Sequence, residues 1–319
     1  MISLEKAIWG LIDFHTHSTA SDGGDTPTQL VDRAIKSGVS ALALTDHNVI
    51  DGLSEFKSVC EDRSLFYIPF GVEIYAALPE GLVSPTENDS PDLVILGKNP
   101  RNISLLSEYQ FILSQYREKI WLPSNIEGLI DLGFKIPPFD LKSQSKDLGI
   151  PRVLHDVVTF RDNLTCLIQY ILSQDPAIRP EAVASQPVRF MNKYVYAPGK
   201  PAYRKRIKDF TVPNAVSLAE SMNCKIFIAH PGGEYGNLPP EVMMYNARNG
   251  VHGVEVRSYF NTPEQNTTFD NFAKEHRLIR SGGSDCHGNN GPFKIGMHDH
   301  PANQVPKEIL QELWETLPT

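Results

Sequence analysis

Short apolar runs, each ending in a polar cluster, recur along this chain and predict alternating strands and helices. Residues 10–14 are a short, mostly apolar strand ending at His15. Thr26-Pro27 then offers an N-cap followed by a first-turn proline, so a helix should run from there to Gly38. Residues 39–44 are largely apolar, as an interior parallel strand requires, and end at Thr45-Asp46-His47. A helix is expected over 51–62, a strand over 65–70 leading directly into Gly71-Val72-Glu73, and a further strand over 92–96 closing at Gly97.

From about Ser104 to Ala197 the strand-like runs vanish, and helical segments such as 104–120 and 164–173 alternate with proline-bearing breaks. The alternating cadence returns with a helix over 216–222 and a strand over 225–229 that ends at His230. Strands over 251–256 and 277–280 follow, the second leading into Ser284-Asp285-Cys286-His287, and a covering helix is expected over 306–316. Strand, polar residue at its C-terminal end, then helix is the pattern of β/α units with right-handed crossovers. The expected class is therefore α/β: a β/α barrel or related parallel sheet in two parts, 1–103 and 198–319, with an inserted helical subdomain over 104–197.

Composition changes this picture little. Of 319 residues, 41% are hydrophobic and 21% charged, an ordinary globular balance. The net charge of −8 argues against a protein that coats nucleic acid through a basic face. It leaves a phosphate substrate open, because bound divalent ions would reverse the local potential. Cys60, Cys166, Cys224 and Cys286 are too widely spaced for a disulfide framework, so reduced thiols are expected. The first ten residues contain Glu5 and Lys6 and no apolar run, so neither a signal peptide nor a membrane span is expected and the cytoplasm is the expected location.

The candidate chemistry lies where the runs end. His15, His17, Asp22, His47, Glu73, His230, Asp285 and His287 all fall at or just past the C-terminal end of an expected strand, where barrel enzymes build their sites. His15 and His17, two apart in an extended segment, point to the same side. Each residue alone has a plainer explanation: a hydrogen-bonded strand-end histidine, a turn-forming Asp22 before Gly23-Gly24, a solvated Glu73, a helix-capping Asp285. Their joint occurrence favours a metal centre, and mixed imidazole and carboxylate donors suit zinc, manganese or iron. Cys286, between two candidate ligands, is read as a packing residue. Of the other histidines, His276 is expected to close a helix, His252 to be structural, His298 and His300 to lie in a polar loop, and His155 to line the pocket.

The runs Asp13-Phe-His15-Thr-His17-Ser18, Ser21-Asp22-Gly23, Thr45-Asp46-His47-Asn48, Gly71-Val72-Glu73, Ala229-His230-Pro231-Gly232 and Gly283-Ser-Asp285-Cys-His287-Gly288 resemble the motifs of the polymerase and histidinol phosphatase (PHP) domain family. The resemblance implies a distorted seven-stranded β/α barrel holding two or three divalent ions, Mn, Zn or Fe. Carried over by motif, His15, His17, Glu73 and Asp285 would hold one ion and Asp22, His47 and His287 another, with Glu73 and His230 at a third. The helical insert, the run Gly199-Lys200-Pro201-Ala202-Tyr203 and the run Thr262-Pro263-Glu264-Gln265 resemble the branch that acts on nucleoside 3',5'-bisphosphates and on short or 5'-end RNA phosphates. Two positions depart from the pattern: Val94 stands where the family usually carries a strand histidine, and Gly233 where the nucleotide branch tends to show Arg.

The expected function is hydrolysis of phosphate esters, nucleotides or the 5' ends of short RNA or DNA, by a metal-bound hydroxide, with no protein nucleophile. Two ions clamp the ester and acidify a bridging water. Asp22 and His230 are candidates to assist proton transfer as well as to ligate. Lys200 and Arg204, in a basic segment that also holds Arg206 and Lys208, and Arg152 and Arg161 in the insert, are candidates for binding substrate phosphate. Two alternatives stand beside this reading: a phosphomonoesterase of a small metabolite, of the histidinol phosphate type, and a non-catalytic metal-binding relic.

Overall fold

The computed structural model describes residues 4–82, 91–116, 122–133, 194, 210–232, 238–288, 293–297 and 299–319. The first part runs α1 (Leu4–Ala7), β1 (Leu11–Asp13), α2 (Pro27–Lys36), β2 (Val39–Leu42), α3 (Leu53–Asp62), β3 (Phe66–Tyr67), β4 (Phe70–Tyr75) and β5 (Asp92–Gly97). Helices α4 (Leu105–Tyr116) and α5 (Leu122–Asp131) come next. The last part runs α6 (Val212–Ser221), β6 (Lys225–Ile228), α7 (Pro240–Arg248), β7 (Gly253–Ser258), α8 (Pro263–His276), β8 (Ile279–Gly283) and α9 (Lys307–Thr316). No described helix is long and apolar enough to cross a membrane. The helix expected over 164–173 lies outside the described residues.

Local chemistry explains the starts of two helices. Thr26 caps α2 by accepting the Gln29 N–H, while the Gln29 side chain accepts the Thr26 N–H, closing a capping box with Pro27 at the first turn. Leu30, Val31 and Ala34 make the buried stripe of that helix. The Thr262 and Gln265 pair closes the same kind of box on α8, so a run that resembled a family signature has a structural job here.

The sheet arrangement differs from the expected all-parallel one. β1, β2 and β3 form a parallel sheet, and β4 to β8 form a second sheet in chain order. In the second sheet β5 runs antiparallel to both β4 and β6, while β6, β7 and β8 are parallel. The expected strand over 65–70 divides into β3 and β4, which belong to different sheets. Strands expected over 251–256 and 277–280 sit two residues later at their starts, as β7 and β8. His252 accordingly falls just before β7, where its Nδ1 accepts the Ile226 N–H at 3.3 Å.

Backbone bonds join the two sheets at both seams, and these seams carry the candidate residues. Beyond β1 and β8, Asp285 N–H donates to His15 O at 2.9 Å and His17 N–H to Cys286 O at 2.9 Å. Beyond β2, Asn48 N–H donates to Glu73 O at 2.7 Å and Glu73 N–H to Thr45 O at 3.2 Å. Phe14, Leu42, Leu44, Phe70, Val72, Leu96, Phe227 and Val254 are buried in the continuous core beneath. Helix α4 packs on the same core through Tyr109, whose hydroxyl donates to Asn48 Oδ1 and accepts the Tyr75 N–H. Helix α9 is tied to β8 by a two-point contact of Arg280 with Glu312.

Candidate metal centre

The two seams bring seven of the eight candidate residues to one end of the sheets, and His230 joins them from the end of β6. His15 Nε2 and His17 Nε2 lie 3.1 Å apart. Glu73 Oε2 lies 3.3 Å from His15 Nε2, 3.4 Å from His17 Nε2 and 2.8 Å from His47 Nδ1. Asp285 Oδ1 adds contacts of 3.0 Å to His17 Nε2 and 3.5 Å to His15 Nε2. On the other side of His17, Asp22 Oδ1 is 3.1 Å from His287 Nε2, and Asp22 Oδ2 is 3.6 Å from His47 Nε2. The His17 ring stacks between those of His47 and His287, with centroids at 4.4 and 4.3 Å.

Three groups of donors result, each with ligand atoms within 4.8 Å of one another: His15, His17, Glu73 and Asp285; His17, Asp22, His47 and His287; and Glu73, Asp92 and His230. They differ from the sets implied by the motifs in two respects: His17 stands between the first two groups, and Asp92 joins the third.

The donor set fits divalent cations, and the reason is the lone pairs left over. Buried polar atoms normally find partners. Here His17 Nδ1, Glu73 Oε2, Asp285 Oδ1, His230 Nδ1 and Asp92 Oδ1 are buried and make no hydrogen bond among the described residues. Glu73 Oε2 has three imidazole nitrogens close by and is aligned with none. A converging shell of unbonded acceptors is the arrangement a cation satisfies and a hydrogen bond does not.

Electrostatics agree with a site built around missing positive charge. Burial alone would push His15 and His230 down, but the carboxylates beside them prevail. Glu255 and Glu73 lift His15 well above the usual imidazole range, and Glu73 and Asp285 lift His230 to about 9. His287, opposed by burial but held by Asp22 and Asp285, rises to about 10. Burial together with the neighbouring charge of His287 and His47 drives His17 down to about 3, so its ring is neutral and offers one nitrogen lone pair for ligation. Against the cost of burial, the surrounding imidazoles hold Asp22, Glu73 and Asp285 ionised, well below the usual carboxylate range.

Three carboxylates that the sequence reading left out hold this assembly in place. Asp13 Oδ1 accepts the N–H groups of His15 and Ser284, and its Oδ2 accepts Ser284 Oγ–H and Gly296 N–H. Asp46 does the same for the other strand end, accepting Ser18 N–H, Ser18 Oγ–H and Ser21 Oγ–H, each at 2.7 Å. Glu255 lies within β7, facing both His15 and the backbone of His230. Asp13 and Asp46 were adjacent to candidate ligands in the quoted runs. Glu255 had its own signal: a carboxylate inside the apolar stretch Val254-Glu255-Val256, whose burial demands partners.

Backbone geometry is spent on aiming these groups. His230 and Asp285 adopt positive φ, 22° and 55°, uncommon for residues other than glycine. Cys286 is buried, accepts Gly288 N–H through Sγ, and its thiol is pushed up to about 12 by burial, in keeping with packing. Lys200, Arg204, Arg206, Lys208, Arg152, Arg161, His155 and Gly233 lie outside the described residues.

A family model for the PHP domain matches residues 13–146. Among curated relatives, a 3',5'-nucleoside bisphosphate phosphatase of Chromobacterium violaceum is 27% identical over 311 residues, 96% of each chain. A 5'-3' exoribonuclease of Haemophilus influenzae is 27% identical over 293 residues, 89% of this chain and 92% of the relative. The fold is shared with the crystal structure of a Bifidobacterium adolescentis protein inferred to be a metal-dependent phosphoesterase, at a TM-score of 0.65 and 22% identity over 95% and 94% of the two chains. Within the PHP segment lie His15, His17, Asp22, His47, Glu73 and Asp92, whereas His230, Glu255, Asp285 and His287 come from the chain beyond it.

Proposed function

We propose that this PHP-domain phosphoesterase acts on nucleotides, with nucleoside 3',5'-bisphosphates and the 5' ends of short RNA or DNA as its substrate class. The observation that carries the reading is the convergence of His15, His17, Glu73 and Asp285 with Asp22, His47 and His287 into adjoining groups whose ligand atoms lie within 4.8 Å of one another, with His17 Nδ1, Glu73 Oε2 and Asp285 Oδ1 left without a hydrogen bond among the described residues. The nearly full-length similarity to a bisphosphate phosphatase and an exoribonuclease supports the choice of nucleotides. A distorted seven-stranded barrel, with 104–197 as an insert, is the architecture this reading assumes.

In this reading His15, His17, Glu73 and Asp285 hold one divalent cation, and Asp22, His47 and His287 a second, with manganese, zinc or iron as the candidates. Such cations supply positive charge for the phosphate oxygens and lower the pKa of a coordinated water. The protein's part is to fix the donors and to leave an open side. His15, His17 and Glu73 are sealed from solvent, while Asp285, His287 and Asp22 keep 13%, 17% and 20% of their side chains exposed. Substrate therefore approaches from the side of Asp22 and His287. Asp22 and His230 are the groups proposed to manage the proton of the leaving oxygen. In His230 ligation and proton transfer draw on the same Nε2, and ligation is taken as its first role. Lys200, Arg204 and Arg152 are proposed to bind phosphate through their fixed positive charge.

A rate panel on the metal-loaded protein tests the substrate class. A nucleoside 3',5'-bisphosphate and a 5'-phosphorylated oligonucleotide should exceed histidinol phosphate and sugar phosphates by at least about tenfold in kcat/KM, about 1.4 kcal/mol of barrier. Equal or faster turnover of the small metabolites would transfer the assignment to a phosphomonoesterase. Metal binding without turnover of any ester would mark a relic.

A further inference from the structure

We propose that Asp92 replaces the histidine missing at position 94 and completes a third divalent-cation site with Glu73 and His230. The inference rests on the metal-dependent reading above and extends it to a ligand that the motifs did not supply.

The argument starts from strand direction. Because β5 runs antiparallel to β4, Val94 pairs with Glu73, and Asp92 pairs with Tyr75. Directly opposed residues share a face, and so do residues two apart, so Asp92 and Val94 both stand on the face of Glu73. The antiparallel course also places the start of β5, not its end, beside the candidate ligands. Ala229 N–H donates to Asp92 O at 3.0 Å, which sets Asp92 alongside the residue that precedes His230. A long imidazole rooted at 94 and a short carboxylate rooted at 92, one step nearer the end of the sheet, can thus serve the same place.

The side-chain geometry agrees. Ligand atoms of Glu73, Asp92 and His230 lie within 4.8 Å of one another. His230 Nε2 is 3.3 Å from Glu73 Oε1 and 3.9 Å from Asp92 Oδ2. Glu73 turns its other oxygen, Oε2, to the first group, so the one carboxylate bridges the two sites. Asp92 Oδ1 is buried without a hydrogen bond among the described residues, and no described lysine or arginine forms an ion pair with Asp92. A buried carboxylate oxygen left without a partner is costly unless something positive completes it. Two carboxylates and one imidazole form a harder donor set than the histidine-rich groups beside it. Manganese is accordingly favoured over zinc at this position. Three protein donors leave coordination positions for water or a substrate oxygen.

The test is metal binding, read independently of turnover. The full chain, stripped of metal, is titrated with Mn2+ alone by calorimetry, and the bound metal is counted by mass spectrometry at fixed free Mn2+. The wild type should bind three equivalents. Asp92→Asn and Asp92→Ala should bind two, with the two tighter classes unchanged within about threefold. Asp92→Glu, which keeps a carboxylate, should retain the third equivalent at reduced affinity. Saturation of the wild type at two equivalents, or a third class unaltered in Asp92→Asn, overturns the proposal and leaves the two-cation reading intact. The wild-type arm decides even where a variant fails to fold. Absence of any bound metal would remove the functional reading itself.

Discussion

His15 Nδ1 lies 2.9 Å from Glu255 Oε1, across 240 residues of sequence, and the other oxygen of that carboxylate accepts the His230 N–H at 2.6 Å. The contact commits the Nδ1 proton of His15 to Glu255 and turns Nε2 toward His17, Glu73 and Asp285. A carboxylate behind a ligating imidazole fixes its tautomer and orientation and raises its basicity. Glu255 does this for one ligand while anchoring the strained backbone of another.

Replacing Glu255 with Gln should therefore weaken binding of the tightest metal by about 10- to 100-fold. Competition with a chromogenic chelator measures it, and kcat/KM should fall alongside. Wild-type affinity in this variant would show that the contact is a packing detail.

Metal removal should abolish ester hydrolysis, and added Mn2+ should restore it. Stability should follow, since a ligand at about 100 times its Kd adds about 2.7 kcal/mol per site when it binds only the folded chain. Thermal melts with and without Mn2+ provide the check. Turnover that persists after metal analysis reads zero would contradict the proposed chemistry.

Gly283→Ala should damage the site without touching a donor atom. A Cβ there would meet His15 N and His15 Cβ at 2.4 Å, where the backbone has no room to yield. Overpacking of this kind costs about 1–3 kcal/mol. Urea denaturation should show that loss, and the shift of His15 should weaken metal binding as well. A variant with unchanged midpoint and affinity would rule out the close approach.

Cys60 and Cys224 are buried, and burial pushes both thiols up to about 12. The sign follows: suppression of the thiolate adds stability below the unfolded thiol's value of about 8.5, and that contribution fades as pH rises toward 12. At pH 8.5 iodoacetamide should label both residues far more slowly in the native protein than in urea, as read by peptide mass spectrometry. Equal labelling rates would mean that neither thiol is sealed.

His15, His47, His230 and Asp285 were legible because each follows the close of an apolar run, whereas Glu73, expected just past a strand end, lies inside β4. The helix starts at Thr26 and Thr262 were legible through capping chemistry within four residues. Strand direction was not. The stretch 92–96 has the same apolar pattern whichever way it runs, and its pairing with β4 and β6 is settled by partners outside it. Val94 consequently read as a lost ligand, when the residue two positions earlier stood on the same face. Asp13 and Asp46 looked like neighbours of ligands, and only the folded backbone showed Asp13 bonded to Ser284 and Gly296.

What this sequence determined alone is local: the cadence of strands and helices, the residues at strand ends, and the donor types that suit a divalent cation. Such features depend on side-chain period and turn chemistry over a few residues. The tertiary structure decided which donors share a point in space, with His17 between two groups, Glu73 shared by two, Asp92 included, and Glu255 set behind His15. Those relationships arise from register between strands far apart in the chain, and a one-residue slip would turn each of these side chains to the opposite face.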